Sequence, residues 1–196
     1  DSVSQQNEST NAADLLFFTD HCQVYKAKAA DFPDTKACVL GEYIPAKLGM
    51  EEGENAVYMA VTEEYGGYVL FFFENGKAAK VEMSAYMTKT NRRKLLNSYS
   101  DKAPLSAMYY IQEDGEFLLT SSQGRLLLFH TGAIQPKTTR NTQGVAVMTL
   151  KRGQRLLQAE PYAEGRLKNP DRYRKNIPAT GALPNSQELE GEQLKL

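Results

Sequence analysis

The chain has 196 residues, 41% of them hydrophobic, with 23 basic and 24 acidic side chains and a net charge of −1. That is enough apolar material for the core of one domain or of a compact array of repeats. Two cysteines, Cys22 and Cys38, exclude a disulfide framework. No secretory signal and no apolar run near 18 residues is present, which points to a cytoplasmic setting away from membranes.

In chain order, Asp1 to Asn11 is rich in Ser, Gln, Asn and Glu and predicts a disordered leader over residues 1–13. The chain begins at Asp1 rather than Met and reads as a piece of something longer. Leu15 to Lys28 predicts a hairpin, followed by an acidic loop from Asp31 to Leu40 and an irregular connection, Gly41 to Met50, broken by Pro45. An acidic turn, Glu51 to Asn55, leads into a strand over Ala56 to Val61.

Tyr68 to Met83 (YVLFFFENGKAAKVEM) is the strongest local signal. Asn75-Gly76 between two apolar runs predicts a hairpin closed by a type I′ turn, which needs φ > 0 at both central residues. Thr88 to Lys94 (TKTNRRK) is a basic loop, and Ala107 to Ile111 a third strand. A further hairpin covers 117–130 and is followed by the loop Pro136 to Gly144 (PKTTRNTQG). Val145 to Leu150 is the expected return strand of this third unit. Lys151 to Gln154 is a basic turn, and Arg155 to Ala159 a further strand. Arg166 to Lys175 (RLKNPDRYRK) is basic and predicts a closing strand or a peptide laid over the last unit. Residues 183–196 form an acidic, flexible tail.

The three hairpins form a series. Aligning Cys22, Gly76 and Gly124 gives spacings of 54 and 48 residues, and each hairpin is trailed by an interrupted stretch, a polar or basic loop and a third apolar run. A period near 50 with several strands per unit predicts an all-β, bladed architecture, with blades near 14–64, 65–115 and 116–160 and a closing segment at 161–182. His21-Cys22 stands where a glycine is expected. Cysteine tolerates positive φ poorly, so that turn should be longer or of another type.

Charge is unevenly spread. Residues 1–64 hold 4 basic and 12 acidic side chains, and residues 65–182 hold 18 basic and 9 acidic. No acidic residue occurs between Phe117 and Ala159. Such asymmetry suggests a polyanion-binding region beside an acidic one, against the plainer reading of solvated surface charge.

Repeated FF-type hairpins, each trailed by a Lys/Arg–Thr/Asn loop and a Gly-Val return strand, resemble the C-terminal domain of the A subunit of bacterial DNA gyrase or topoisomerase IV. The likeness covers roughly residues 14–160, with LLFFT, VYK and the EEGE turn in the first unit. It implies a β-pinwheel, a propeller-like disc of about three four-stranded blades that exchange strands with their neighbours, incomplete or open in this chain. It also implies a rim that binds and bends duplex DNA, with catalytic residues on other domains. The implied partners are the ATPase B subunit, the remainder of the A subunit, and the duplex itself. The glycine-containing basic box that gyrase domains carry (Gln-Arg-Arg-Gly-Gly-Lys-Gly) does not occur. Asp31 to Lys36 is acidic instead; either the box lies upstream of Asp1 or the protein lacks it, and its lack would favour a topoisomerase IV-like or divergent A subunit.

A duplex presents closely spaced phosphates, so a rim needs cations on successive loops to neutralise them. The candidates are Lys89, Arg92, Arg93 and Lys94; Lys137 and Arg140; Lys151 and Arg152; and Arg172, Arg174 and Lys175. Thr88, Thr90, Asn91, Thr138, Thr139 and Asn141 can donate to phosphate oxygens. No helix or ribbon suited to groove reading is predicted, so contacts should be independent of sequence.

No catalytic constellation is evident. His21, His130, Cys22 and Cys38 lack metal-ligand spacing, so no metal or cofactor is expected. Arg172-Tyr173 superficially resembles the Arg-Tyr pair of a topoisomerase nucleophile but lacks its winged-helix and carboxylate setting. Glu51, Glu52 and Glu54 read as a solvated turn rather than a cation site. The competing class is a protein-interaction propeller using the acidic first blade. If the DNA reading holds, the acidic first unit should repel the duplex and confine its bent path to the second and third units and the basic tail.

Overall fold

The computed structural model describes residues 12–31, 48–89 and 92–188. The leader through Asn11, most of the acidic loop, Cys38, the Pro45 connection, Thr90, Asn91 and the end of the tail lie outside the described residues. The strands are β1 (Asp14–Thr19), β2 (Val24–Lys28), β3 (Ala56–Thr62), β4 (Tyr68–Phe73), β5 (Lys77–Glu82), β6 (Lys94–Leu95), β7 (Leu105–Ile111), β8 (Glu116–Ser121), β9 (Leu126–His130), β10 (Val145–Ala146) and β11 (Leu156–Pro161). A short helix, α1, covers Pro170–Tyr173. The strands form three antiparallel sheets, in the orders β3-β1-β2-β6, β10-β5-β4-β7 and β11-β8-β9. The three predicted hairpins are β1–β2, β4–β5 and β8–β9, and no helix replaces any of them.

The turns differ from expectation in a uniform way. The Gly76 amide donates to the Phe73 carbonyl at 3.0 Å, Gly124 to Ser121 at 2.9 Å, and Cys22 to Thr19 at 3.1 Å. Only the last loop residue of each is left-handed, with φ of 85°, 82° and 56°. All three are therefore three-residue loops, a tight turn closed by one left-handed residue, rather than type I′ at Asn75-Gly76. Cys22 adopts the same loop as the glycines, at a cost of about 1 kcal/mol for its Cβ. The turn is of the same type and length in all three, contrary to the expectation for the first.

The repeat extends to the third strands. β3, β7 and β11 pair with β1, β4 and β8, and each ladder shifts register beside Thr19, Phe73 or Ser121, positions spaced like the turns. Asp20, Glu74 and Ser122 then donate backbone bonds to Asn55, Pro104 and Arg155 at 2.8–2.9 Å. The return strand of the third unit is not the one expected. β11 fills that place, while Val145–Ala146 pairs with β5 in the second sheet. An apolar run such as Val145–Leu150 shows that a strand exists but does not name its partner, and periodicity is the same in either sheet.

That pairing is a strand exchange, and it recurs. Leu95 faces Val24, and Val145 faces Ala78 at the equivalent position of the next hairpin. Beyond these strands the amides of Ser98 and Met148 donate to the Cys22 and Gly76 carbonyls at 2.8 and 3.0 Å. In the third sheet Ala182 exchanges two backbone bonds with Leu126, at 2.8 and 2.9 Å. The closing segment so supplies the bridge that a neighbouring strand supplies in the other two sheets.

The chain divides into two compact units. The first comprises Asp1–Gly67, Glu82–Asp101 and Thr138–Asn141, and the second Tyr68–Val81, Lys102–Lys137 and Thr142–Leu196. In the first, Leu15, Phe17, Tyr25 and Ala29 pack on one face of the sheet. On the other, Phe18 meets Tyr86 edge-on, with ring centroids 5.3 Å apart. In the second, Phe72, Phe117 and Phe129 join Leu70, Leu119, Leu127 and Leu156 in one core. β1, β4 and β8 are buried on both faces, which is why they read as unbroken apolar runs. A smaller cluster holds Tyr173 of α1 against Leu118, Leu128 and Leu167. Tyr173 is fully buried there, and Glu188 accepts from the Lys168 and Asn169 amides ahead of α1 at 2.8 and 2.9 Å.

Candidate nucleic-acid interface

Strand exchange relocates the basic loops. The TKTNRRK segment follows the second hairpin in sequence, but β6 docks on β2 and carries Arg92, Arg93 and Lys94 into the first unit. By compact unit the charges are 9 basic against 14 acidic in the first and 14 against 10 in the second. The first unit is acidic in sum yet owns one of the strongest basic segments, which the order of residues conceals.

Three candidate lysines occupy repeat-related positions. Lys89 and Lys137 are 48 residues apart and follow the short 3-10 turns Met83–Tyr86 and Thr131–Ala133, which have the same offset. The Lys137 amide donates to the Lys80 carbonyl of β5 at 2.8 Å, as the Lys175 amide donates to the Leu128 carbonyl of β9 at 3.2 Å. Lys80 and Leu128 are themselves 48 apart. All three lysines are exposed, as are Arg92, Arg93, Lys151 and Arg152.

Other candidates are engaged within the protein. Lys94 lies 3.4 Å from Glu51 and 5.4 Å from the centre of the Tyr25 ring. Arg174 binds Glu116 through two nitrogens, at 2.6 and 3.0 Å, and also meets Asp171. Hydrogen bonding to Glu116 raises the Arg174 pKa and fixes the guanidinium as a cation. Arg172 donates to the Leu183 carbonyl at 3.0 Å. Arg140 is half-buried rather than exposed. It donates to the Ala85 carbonyl at 3.1 Å, and its Nε is enclosed with no partner among the described residues.

Two lysines that sequence reasoning passes over are more deeply placed than any of these. Lys26 and Lys80 occupy the same position of β2 and β5, 54 residues apart, and are 8% and 3% exposed. Each is one of two lysines on its strand, Lys26 with Lys28 and Lys80 with Lys77, and nothing in the pattern marks either as buried. Lys80 meets the Asp114 carboxylate at 2.7 Å and donates to the Thr131 and Ile134 carbonyls at 3.3 and 3.1 Å. It also sits 4.5 Å from the centre of the Tyr68 ring. Lys26 meets the Thr88 hydroxyl at 3.3 Å and the Tyr65 ring at 5.1 Å. Burial lowers the Lys26 pKa, with Asp14 opposing and Arg140 and Lys28 adding to the shift.

The acidic turn after Met50 is a clasp, not a solvated loop. Glu54 is 4% exposed and accepts from the Thr19 hydroxyl, the Tyr25 hydroxyl at 2.7 Å and the Glu51 amide at 2.9 Å. Glu51 binds His21 at 3.1 Å and Gln23 at 3.3 Å. The ligand atoms of His21, Glu51 and Glu54 lie within 4.8 Å of one another, a grouping hidden in sequence by the 30 residues between His21 and Glu51. Burial alone would raise the Glu54 pKa, but the Thr19, Tyr25 and Glu51 donors hold it below the ordinary range. The folded state so binds a proton less readily than the unfolded state. Its contribution is present above the unfolded Glu value of about 4.3 and is lost as pH falls through the lower folded value. Glu54→Leu leaves three donors without an acceptor and is expected to cost about 2–4 kcal/mol, read from urea unfolding at neutral pH.

Comparison with known proteins agrees with this arrangement. Residues 115–162 match the family described as DNA gyrase C-terminal domain, beta-propeller. The A subunit of DNA gyrase from Mycoplasma genitalium is 26% identical over 188 residues, covering 89% of this chain and 22% of the relative. That of Borrelia hermsii is 23% identical over 158 residues, covering 79% and 19%. The chain so spans about a fifth of the length of the curated relatives it matches. Among solved structures, a C-terminal domain of DNA topoisomerase IV superposes with a TM-score of 0.72 at 16% identity, over 92% of this chain and 66% of that one. The E. coli ParC C-terminal domain gives 0.66 at 15%, over 90% and 78%. With its repeated hairpins, exchanged strands and matching third unit, the chain has the β-pinwheel fold of the C-terminal domains of DNA gyrase A and topoisomerase IV, and in sequence it is similar to the A subunits of bacterial DNA gyrase.

Proposed function

We propose that the chain is the non-catalytic DNA-binding and DNA-bending domain of a type IIA topoisomerase A subunit. It guides duplex DNA for ATP-dependent strand passage, performed in the bacterial cytoplasm by the ATPase B subunit together with the rest of the A subunit. The observation that carries this reading is the recurrence of an exposed lysine: Lys89 and Lys137 follow the second and third hairpins at the same offset, and Lys175 bonds to the third hairpin as Lys137 bonds to the second. A cation repeated with the fold suits a polymer whose charge is repeated along its length. Arg92, Arg93, Lys151 and Arg152 add exposed charge, while Lys94, Arg140 and Arg174 hold the protein together beside it. Chain-wide, such contacts would track phosphates without reading bases.

The interaction-propeller alternative draws less support, because the acidic side chains around the first hairpin, Asp14, Asp20, Glu51 and Glu54, are already engaged. Asp14 binds Lys28 at 2.5 Å and the Tyr65 hydroxyl at 2.6 Å, and Asp20 binds Asn55. The paired reversals Arg92→Glu with Arg93→Glu, and Lys137→Glu with Lys175→Glu, are each expected to weaken duplex binding about tenfold or more. Each should also flatten the salt dependence by about 0.9 for every phosphate no longer neutralised. Folding should change by under about 0.5 kcal/mol, because these side chains are exposed. Glu63→Lys with Glu64→Lys, on an exposed turn, should leave affinity intact or raised. Equal losses in all three pairs would overturn the assignment.

A further inference from the structure

The first unit contains a cavity of about 250 Å3 whose walls include Asp14, Lys26, Lys28, Thr88, Arg92 and Arg93. Four cations face one carboxylate, and that carboxylate is committed to Lys28 and the Tyr65 hydroxyl. Among the described residues no carboxylate lies within ion-pair reach of Lys26, Arg92 or Arg93. The repeat supplies an internal comparison. At the equivalent position of the second sheet the Lys80 ammonium is satisfied by Asp114 and two carbonyls. In the first sheet the corresponding Lys26 meets a hydroxyl and a ring face, and opens on a cavity instead of a carboxylate. A buried ammonium is costly without an anionic partner. Two arginines and a lysine lining one small space suit a multi-oxygen anion better than a single-point acceptor.

We propose that this cavity is a phosphate-binding pocket. In it, Lys26, Arg92 and Arg93 contact one phosphate group, the Thr88 hydroxyl lies alongside, and the Lys28–Asp14 pair forms the wall. The ligand is either a backbone phosphate of duplex DNA or a free phosphate such as inorganic phosphate. The first source rests on the DNA-binding reading above; the pocket itself does not. With a DNA phosphate, the acidic first unit is a point of attachment rather than one that repels the duplex.

The test uses the full chain labelled with nitrogen-15, titrated first with inorganic phosphate and then with a 20-base-pair duplex. Lys26→Met and Arg93→Ala are compared with the unaltered protein. Phosphate should shift the backbone amides of Lys26, Thr88 and Arg93 saturably, and either variant should weaken that response about tenfold. If a backbone phosphate occupies the pocket, each variant also weakens duplex binding and lowers its salt slope by about 0.9. If phosphate binds but the variants leave duplex affinity and slope unchanged, the pocket stands with free phosphate as its ligand, and the DNA source is overturned. Phosphate binding in a chain that binds no duplex overturns the DNA reading and leaves the pocket standing. A phosphate response that is absent, or is unchanged in both variants, overturns the proposal even where duplex binding persists. Arg93 is exposed, so Arg93→Ala decides the matter should Lys26→Met fail to fold.

Discussion

Asp114→Ala is expected to cost about 3–4 kcal/mol of folding stability, far more than truncation of a half-exposed side chain ordinarily does. Lys80 is 3% exposed, and Asp114 lies 2.7 Å from its ammonium. Asp114 also accepts from the Thr131 hydroxyl at 2.8 Å. Removing the carboxylate strands a buried charge and a hydroxyl together. The carbonyls of Thr131 and Ile134 remain for Lys80, but neutral acceptors do not replace a counter-charge. Lys80→Met with Asp114→Ala should recover most of the loss, because deleting both partners leaves no charge to solvate. Burial would raise the Asp114 pKa, yet Lys80 and Thr131 hold it below its ordinary value. The pair's contribution is therefore present at neutral pH and fades as pH falls below about 4. Urea unfolding of the two variants reads the difference. A loss under about 1 kcal/mol in Asp114→Ala would show that Lys80 is held by its carbonyls alone.

The second large effect is expected at Gly76. A Cβ there would lie 2.1 Å from the Met148 carbonyl oxygen, at a backbone φ of 85°. The left-handed conformation costs a non-glycine residue about 1 kcal/mol. The clash must also displace residues 147–148, whose amides both donate to the Gly76 carbonyl at 3.0 Å. With two bonds at about 1 kcal/mol each, Gly76→Ala should lose about 3 kcal/mol. Gly124 holds the equivalent turn with φ of 82°, but a Cβ there meets nothing within 4 Å. Gly124→Ala should therefore lose only about 1 kcal/mol. The ratio of the two losses, measured by thermal or urea unfolding, isolates the packing of the exchanged segment from the intrinsic cost of the turn. Equal losses would mean that residues 147–148 yield without cost.

The three hairpins are legible in the sequence because each is a buried apolar run, a three-residue polar loop and a second run, repeated at nearly constant spacing. Their turn type is not. Asn75-Gly76 satisfies both a type I′ turn and a turn closed by a single left-handed glycine, and only the strand register distinguishes them. Family resemblance implies strand exchange, yet it leaves the sheet of Val145–Ala146 open to error, because an apolar run carries no label for its partner. The candidate cations stand out by composition, and composition cannot tell a free lysine from an engaged one. Lys94 and Glu51 are 43 residues apart, and Arg174 and Glu116 are 58 apart, so each pairing exists only after folding. Lys26 and Lys80 are invisible for the opposite reason, since a lysine on a strand is ordinarily at the surface.

The proposed hold on duplex DNA through phosphate contacts is tested most directly by the affinity for a duplex of about 20–30 base pairs and arbitrary sequence, measured across a range of salt concentrations. Binding should be indifferent to sequence, and log Kobs should fall linearly with log salt at about −0.9 for each phosphate neutralised. With Lys89, Arg92, Arg93, Lys137, Lys151, Arg152 and Lys175 available, a slope steeper than about −3 is expected. A slope near zero, or no binding to duplex even at low salt, would contradict the account.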